Sequence, residues 1–316
     1  MIHWLQIGRF ARMRRTAARL LLGAAFCTAG TAAFANVVIV DSDKHGASYR
    51  LAEGIAANCT GCGTVSYMDM HHDRGTGDAI LTDLRDRKAK GELELVITLG
   101  PLATRLVTEE MPDTPVYFLM REKPSRKVRE TASARGMQVE PDVGLRLAAF
   151  KALAPHMQTV GVLARRSTIE PVRDELIDAA GELGIKLSFF YIERPDDVSP
   201  GLRQAIGETD GLLFLRDIVV INTNTIRFIL RMTLENRIPT FAYSPDLVPM
   251  GMGAAIEMDP AKLAEQVGRA AGALVQGDKR AAEPWAPFLL EVNRSSLESS
   301  GGITPPTVLG MEVVLK

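Results

Sequence analysis

The chain has 316 residues, 46% hydrophobic and 24% charged, with 27 Gly and 17 Pro spread along it. This is the composition of one large or two medium globular domains and excludes a disordered polymer. Formal net charge is −1, but residues 1–35 carry five arginines and no acid, so the remainder stands five lower, at −6; no nucleic-acid partner is implied.

Arg12, Arg14, Arg15 and Arg19 precede the apolar run "LLLGAAFCTAG", which ends in "TAAFA" with Ala33 and Ala35 in the small-residue pattern that signal peptidase accepts. Residues 1–35 read as a secretory signal cut after Ala35. The run is too short to span a bilayer, and no later stretch reaches about eighteen apolar residues. The residues around Arg14-Arg15 fit twin-arginine export badly, and Phe26 argues against a lipidated Cys27. The expected product is exported to a periplasm.

From Val37 onward short apolar strands alternate with amphipathic helices. "NVVIVDSD" reads as a strand and loop, "ASYRLAEGIAAN" as a helix with Leu51 and Ile55 inward, and "TVSYMDM" as the next strand. Cys59 and Cys62 lie between the last two as a C-x-x-C pair. In an oxidising compartment the expectation is a disulfide. A redox site is the sharper alternative, but a helix C-terminus opposes a thiolate, so a structural clip is preferred. "MDMHHD", Met68 to Asp73, has the soft and imidazole ligands that suit copper or zinc, yet it lacks a second ligand cluster, and no metal site is assigned.

Helix "GDAILTDLRDRKAKG", strand "LELVITLG", helix "PLATRLVTEE" and strand "TPVYFLM" follow. A second series begins after "GMQVEPD": helix "VGLRLAAFKALAP", strand "TVGVLA", helix "PVRDELIDAAGELG", strand "KLSFFYIE", a helix around Leu202 and Ile206, strand "GLLFL", helix "TIRFILRMTLENR" and strand "PTFAYS". The pattern is βαβ repeated, so the fold class is α/β with parallel sheets in two Rossmann-like lobes. In the tail, strand "GMGAAIEMD", a helix capped by Asp259-Pro260 and strand "FLLEVN" are too little for a third domain and are shared between the lobes. Repeated crossing makes a hinge. The expected division is 36–139 plus 259–285 for the N-terminal lobe and 140–258 plus 286–316 for the C-terminal lobe.

Right-handed crossovers put every strand's C-terminal loop along one edge of its sheet. At Gly100-Pro101 a strand runs straight into a helix whose first amides and dipole would hold an anion, a carboxylate better than a triphosphate because the Lys and glycine spacing of a phosphate loop are missing. Leu102, Ala103 and Thr104 belong to this start. Other strand ends bring Ser42, Arg121, Arg165, Arg166, Ser167, Arg216, Asp217, Asn222, Ser244 and Asp246 to the same edges. No G-x-S-x-G, H-E-x-x-H or G-x-G-x-x-G occurs, so no enzyme activity and no cofactor is implied. An exported two-lobed protein with a polar cleft is expected to bind a solute.

From about Val96 onward the order of segments resembles the ABC-transporter substrate-binding proteins of the tryptophan/tyrosine-type family. The stretches that carry the likeness are "VITLGPLATRLV", "TPVYFLM", "LRLAAFKALAPHMQTVGVLARRSTIEPVRDELIDAAGELGI", "DGLLFLRDIVVINTNT", "RIPTFAYSPDLVPMGMGAAIEMDPAKLAEQVGRAAGALVQGDK" and "EVNRSSLESSGGITPP". The resemblance implies the type I periplasmic-binding-protein architecture, a ligand between the lobes, and an ABC permease in the inner membrane as partner. It implies binding loops that include Gly100 to Thr104, Ser167, Asp217, Asn222 and Ser244. "MREKPSRK" and Arg165 depart from the family pattern, and two arginines favour an acidic ligand or a salt-bridged closure with Asp217 or Asp246. Two other functions are compatible with the residues: a diverged binding fold that contacts a membrane receptor or sensor, and a metal or thiol-redox protein around Cys59, Cys62, His71 and His72.

Overall fold

A computed structural model describes residues 35–42, 46–121, 123–278 and 286–316. Residues 1–34 of the expected signal peptide fall outside them, and Ala35, its expected last residue, is the first of β1. The elements, in chain order, are β1 Ala35–Asp41, α1 Gly46–Asn58, β2 Cys62–Asp69, α2 Arg74–Ala89, β3 Leu95–Leu99, α3 Pro101–Glu110, β4 Val116–Met120, α4 Arg126–Glu130 and β5 Ala134–Gln138. Then come α5 Val143–Leu153, β6 Thr159–Ala164, α6 Arg166–Ile169, α7 Arg173–Leu183, β7 Lys186–Tyr191, α8 Val198–Glu208, β8 Gly211–Phe214, α9 Ile226–Glu235 and β9 Thr240–Phe241. The chain ends with β10 Ala254–Met258, α10 Pro260–Val275, β11 Phe288–Val292, α11 Arg294–Ser299, β12 Thr307–Val308 and β13 Met311–Leu315.

The first sheet has the order β2-β1-β3-β4-β5 and is parallel throughout. Its inner strands "LVITL" and "VYFLM" are buried at every position because helices cover both faces. One face packs Ile39, Ile97 and Leu119 against α1 and α10, and the other packs Val96 and Phe118 against α2 and α3. The second sheet, β12-β13-β11-β10-β9-β8-β6-β7, is mixed. β6 to β10 run parallel, whereas β11 is antiparallel to β10. Helices α5 and α7 cover one face and α8 and α9 the other.

Besides the short helices α4, α6 and α11, two strand regions go beyond the sequence reading. "ARGMQ" is a fifth strand of the first sheet, although Ala134 and Met137 are its only buried positions and give no clear two-residue alternation. The tail adds a hairpin, β12 to β13, on the far side of β11.

Between β10 and β11, neighbours in the second sheet, the chain leaves to place α10 on α1. Leu263 and Val267 are fully buried there with Val37 and Ile97, each contributing about 1.5–3 kcal/mol. The approach is close: a Cβ on Gly272 would stand 2.3 Å from the Thr60 carbonyl oxygen. Cys59 and Cys62 are joined as a disulfide across this turn, with Cα atoms 5.5 Å apart.

Candidate functional site

The register of the first sheet sets its C-terminal edge. Asp41 lies opposite Leu99, so Ser42, the next residue, meets the turn from β3 into α3. Gly100 makes that turn at φ +88°, where a side chain is strained, and a Cβ there would stand 2.8 Å from Ser42 Oγ. The helix start is therefore not bare: the Ala103 amide donates to Ser42 Oγ at 2.9 Å, and Ala103 is fully buried. The Thr104 hydroxyl is also turned inward, donating to the Gly100 carbonyl at 2.8 Å and meeting Thr98 Oγ1 at 2.8 Å. The Ala103 amide and the Thr104 hydroxyl are thus engaged within the turn, which satisfies these polar groups itself. Gly100 and Leu102 remain partly exposed.

His71 and His72, just past β2, both have left-handed backbone, at φ 51° and 54°. The Asp69 carboxylate holds the first, accepting the His71 amide at 2.7 Å and standing 3.0 Å from its Nδ1. The His72 amide donates to the Ser42 carbonyl at 2.9 Å. Among the described residues no three His, Cys, Asp or Glu side chains converge as a metal site would require.

The second sheet's edge is organised by one buried carboxylate. Asp217, past β8, accepts from the Arg165 amide at 2.9 Å, the Thr168 hydroxyl at 2.7 Å, the Val219 amide at 2.9 Å and Arg165 Nε at 3.2 Å. Burial alone would raise the Asp217 pKa, but the Arg165 amide, the Thr168 hydroxyl and the other donors hold it below the usual range. Arg165 thus closes a salt bridge within the second sheet's own loops. Asn222 is likewise spent on its own turn, bonding the Asn224 and Thr225 amides and the Ile218 and Val219 carbonyls. Ser244 Oγ lies 3.4 Å from Asp246 Oδ2, and Ser167 and Asp246 are exposed.

Between the two edges lies a cleft of about 420 Å³. Arg121 and Lys123 line it from the loop after β4, Glu140 from the crossing segment after β5, and Arg146, Glu175 and Arg216 from the second sheet's side. Of the strand-end residues expected from sequence, Arg121 and Arg216 line this cleft, and Asp217 and Arg165 stand behind its wall through Thr168. Ion pairs span it: Lys123 with Glu175, and Glu140 with both Arg146 at 3.0 Å and Arg121 at 3.8 Å. Arg146 was not anticipated. Its signal is an arginine one residue before Leu147 and four before Phe150, on the side of α5 that faces the core. A larger groove, about 900 Å³, lies among α5, α7 and the tail hairpin, lined by Leu145, Leu183, Phe288 and Met311. Among the described residues the loops that follow β4, β6, β8 and β9 do not line it, so we place the site in the smaller cleft, where ligands of open α/β sheets sit.

A family model described as ABC transporter substrate binding protein matches residues 122–304. No curated protein matches the chain significantly. Among solved structures, the ligand-free, open form of a substrate binding protein with adhesive properties from Clostridium difficile is similar at a TM-score of 0.70 and 19% identity, covering 89% of this chain and 99% of that one. An ABC domain from Streptococcus pneumonia in complex with L-Trp aligns at 0.52 and 15% identity, over 88% of this chain and 100% of that one. An ABC sugar transporter subunit from Rhodobacter sphaeroides aligns at 0.50 and 14%, over 82% and 98%. These likenesses concern the fold, the type I periplasmic-binding-protein architecture. The family model's match over more than half of the length establishes that the chain belongs to the ABC transporter substrate-binding protein family.

Proposed function

We propose that the protein is exported to a periplasm by residues 1–35, captures a small amino-acid-like carboxylate between two lobes and hands it to an inner-membrane ABC permease. The lobes are 36–139 plus 259–285 and 140–258 plus 286–316, with the connection from β10 into α10 and the stretch around Glu140 as the hinge. Of the three neighbours above, one was solved with an amino acid and one is described as a sugar transporter subunit, so the choice of solute class rests on this chain. The observation that carries it is the set of cations on the cleft, Arg121, Lys123, Arg146 and Arg216, facing Glu140, Asp142 and Glu175. Four cations against three carboxylates leave the cleft with net positive charge, and the Asp142 carboxylate is already engaged as the cap of α5, accepting the Leu145 amide at 2.7 Å. Anionic groups are favoured there over neutral ones.

Calorimetric titration of the mature protein against the L-amino acids, small carboxylates and neutral sugars tests this. Saturable binding of an amino acid or carboxylate is expected. Binding confined to sugars overturns the solute class. Binding of no panel member favours a receptor- or sensor-contacting role over transport.

A further inference from the structure

We propose that Arg216 is the anchor for the solute's carboxylate and that Arg146 is its positioning residue. This rests on the solute-binding reading above and specifies which groups grip the ligand.

Arg216 follows β8 and Leu215 at the sheet's C-terminal edge and is exposed to the cleft. Its guanidinium carbon lies 5.1 Å from the centroid of the Tyr243 ring. A guanidinium over an aromatic face keeps its in-plane N–H fork available for a carboxylate. The other cations of the cleft are taken: Lys123 by Glu175, Arg146 by Glu140, and Arg121 by Glu140 at the longer distance of 3.8 Å. Arg216 has no carboxylate partner among the described residues.

Arg146 has a different task. Its side chain is 9% exposed, and its donors go to the Pro141 carbonyl at 3.2 Å, the Tyr243 carbonyl at 3.2 Å and Glu140 Oε1 at 3.0 Å. One planar group therefore fastens the residue whose ring carries Arg216 to the segment that crosses between the sheets. Burial, opposed by Glu140, lowers the Arg146 pKa, and the positive charge of Arg216 adds to that lowering. A carboxylate seated beside Arg216 relieves this repulsion, which a neutral solute cannot do.

The test compares each acid that binds with its carboxamide, by calorimetry, in wild type, Arg216→Met, Arg216→Lys and Arg146→Lys. A charged hydrogen bond predicts that wild type prefers the acid by about tenfold or more. Arg216→Met should bring that preference close to one at an unchanged melting temperature, and Arg216→Lys should restore part of it. Arg146→Lys should weaken the acid about tenfold and the carboxamide far less, whereas a merely structural arginine would weaken both alike. Preference retained in Arg216→Met overturns the anchor, and equal losses in Arg146→Lys overturn the positioning role. If no amino acid binds, the solute class fails but the anchor is still tested by titrating succinate while following arginine Nε–H resonances by NMR. The signal missing from Arg216→Lys should then move, and its failure to move overturns the anchor.

Discussion

The C-terminal edges of the two sheets are both built from strand-to-helix connections and come out chemically opposite. At the first, Ser42, Gly100, Ala103, Thr104 and Thr98 satisfy one another with neutral hydrogen bonds, and Ser42 and Thr104 are buried. At the second, Asp217 draws four donors into a buried charged knot and Arg216 stays outside it over Tyr243. The difference shows that a loop can be rich in polar residues and still offer a ligand little. What is left unspent after the turn is built determines what the edge can bind.

Breaking the second edge should cost most. Asp217→Ala would leave two part-buried amides, the Thr168 hydroxyl and Arg165 without their shared acceptor, and loss of hydrogen bonds to a charged group costs about 1.5–3 kcal/mol. Urea denaturation should show this as a lower midpoint at unchanged slope. At the first edge, Ser42→Ala removes one neutral cap from the Ala103 amide, and the expected loss is about 1 kcal/mol. Near-equal losses in the two variants would erase the contrast.

The hinge side sharpens the comparison through pH. Glu257 on β10 is pushed up to about 7 by burial and by the neighbouring Glu291 carboxyl, with Lys316 pulling the other way. Lys316 Nζ lies 2.9 Å from Glu291 Oε1. A carboxyl whose pKa is raised on folding binds its proton more tightly in the native state. Its stabilisation is complete below the unfolded value near 4.5 and is lost as pH rises through about 7. Because Glu257 is only partly buried, the effect should amount to about 1–2 kcal/mol. Melting curves of wild type should fall between pH 5 and about 7.5 relative to Glu257→Gln, and parallel curves would contradict the shift.

The smallest expected effect on solute binding concerns the clip. The ring closed between Cys59 and Cys62 spans a sequence separation of 3, so replacing both by serine should cost about 2 kcal/mol or less and leave solute binding intact. Loss of binding with the fold preserved would favour a redox role.

Much of the fold was legible because buried parallel strands are continuous apolar runs and their helices have capped starts. Thr159–Ala164 was read at its observed bounds for that reason. Ala134–Gln138 escaped because an edge strand with two buried residues has no such run, and the β12–β13 hairpin because it is short and half exposed. At the cleft, the strand-end rule brought attention to the edges of both sheets but could not say how each side chain is used. Thr104 and Asn222 are polar groups in the expected loops whose bonds close locally, and only coordinates reveal that. Arg146 lay hidden in an apolar helix face, where an arginine draws notice only once its acceptors at Pro141, Glu140 and Tyr243 are known.

The most direct test of a solute held between the sheets by the charged edge is hydrogen–deuterium exchange with and without a saturating amino acid or carboxylate from the titration panel. Protection should appear together in the loop after β4, in residues 139–146, and in the loops after β8 and β9, while the groove bordered by residues 307–312 stays unchanged. Protection confined to that groove, or to the neutral turn at Gly100, would contradict the account.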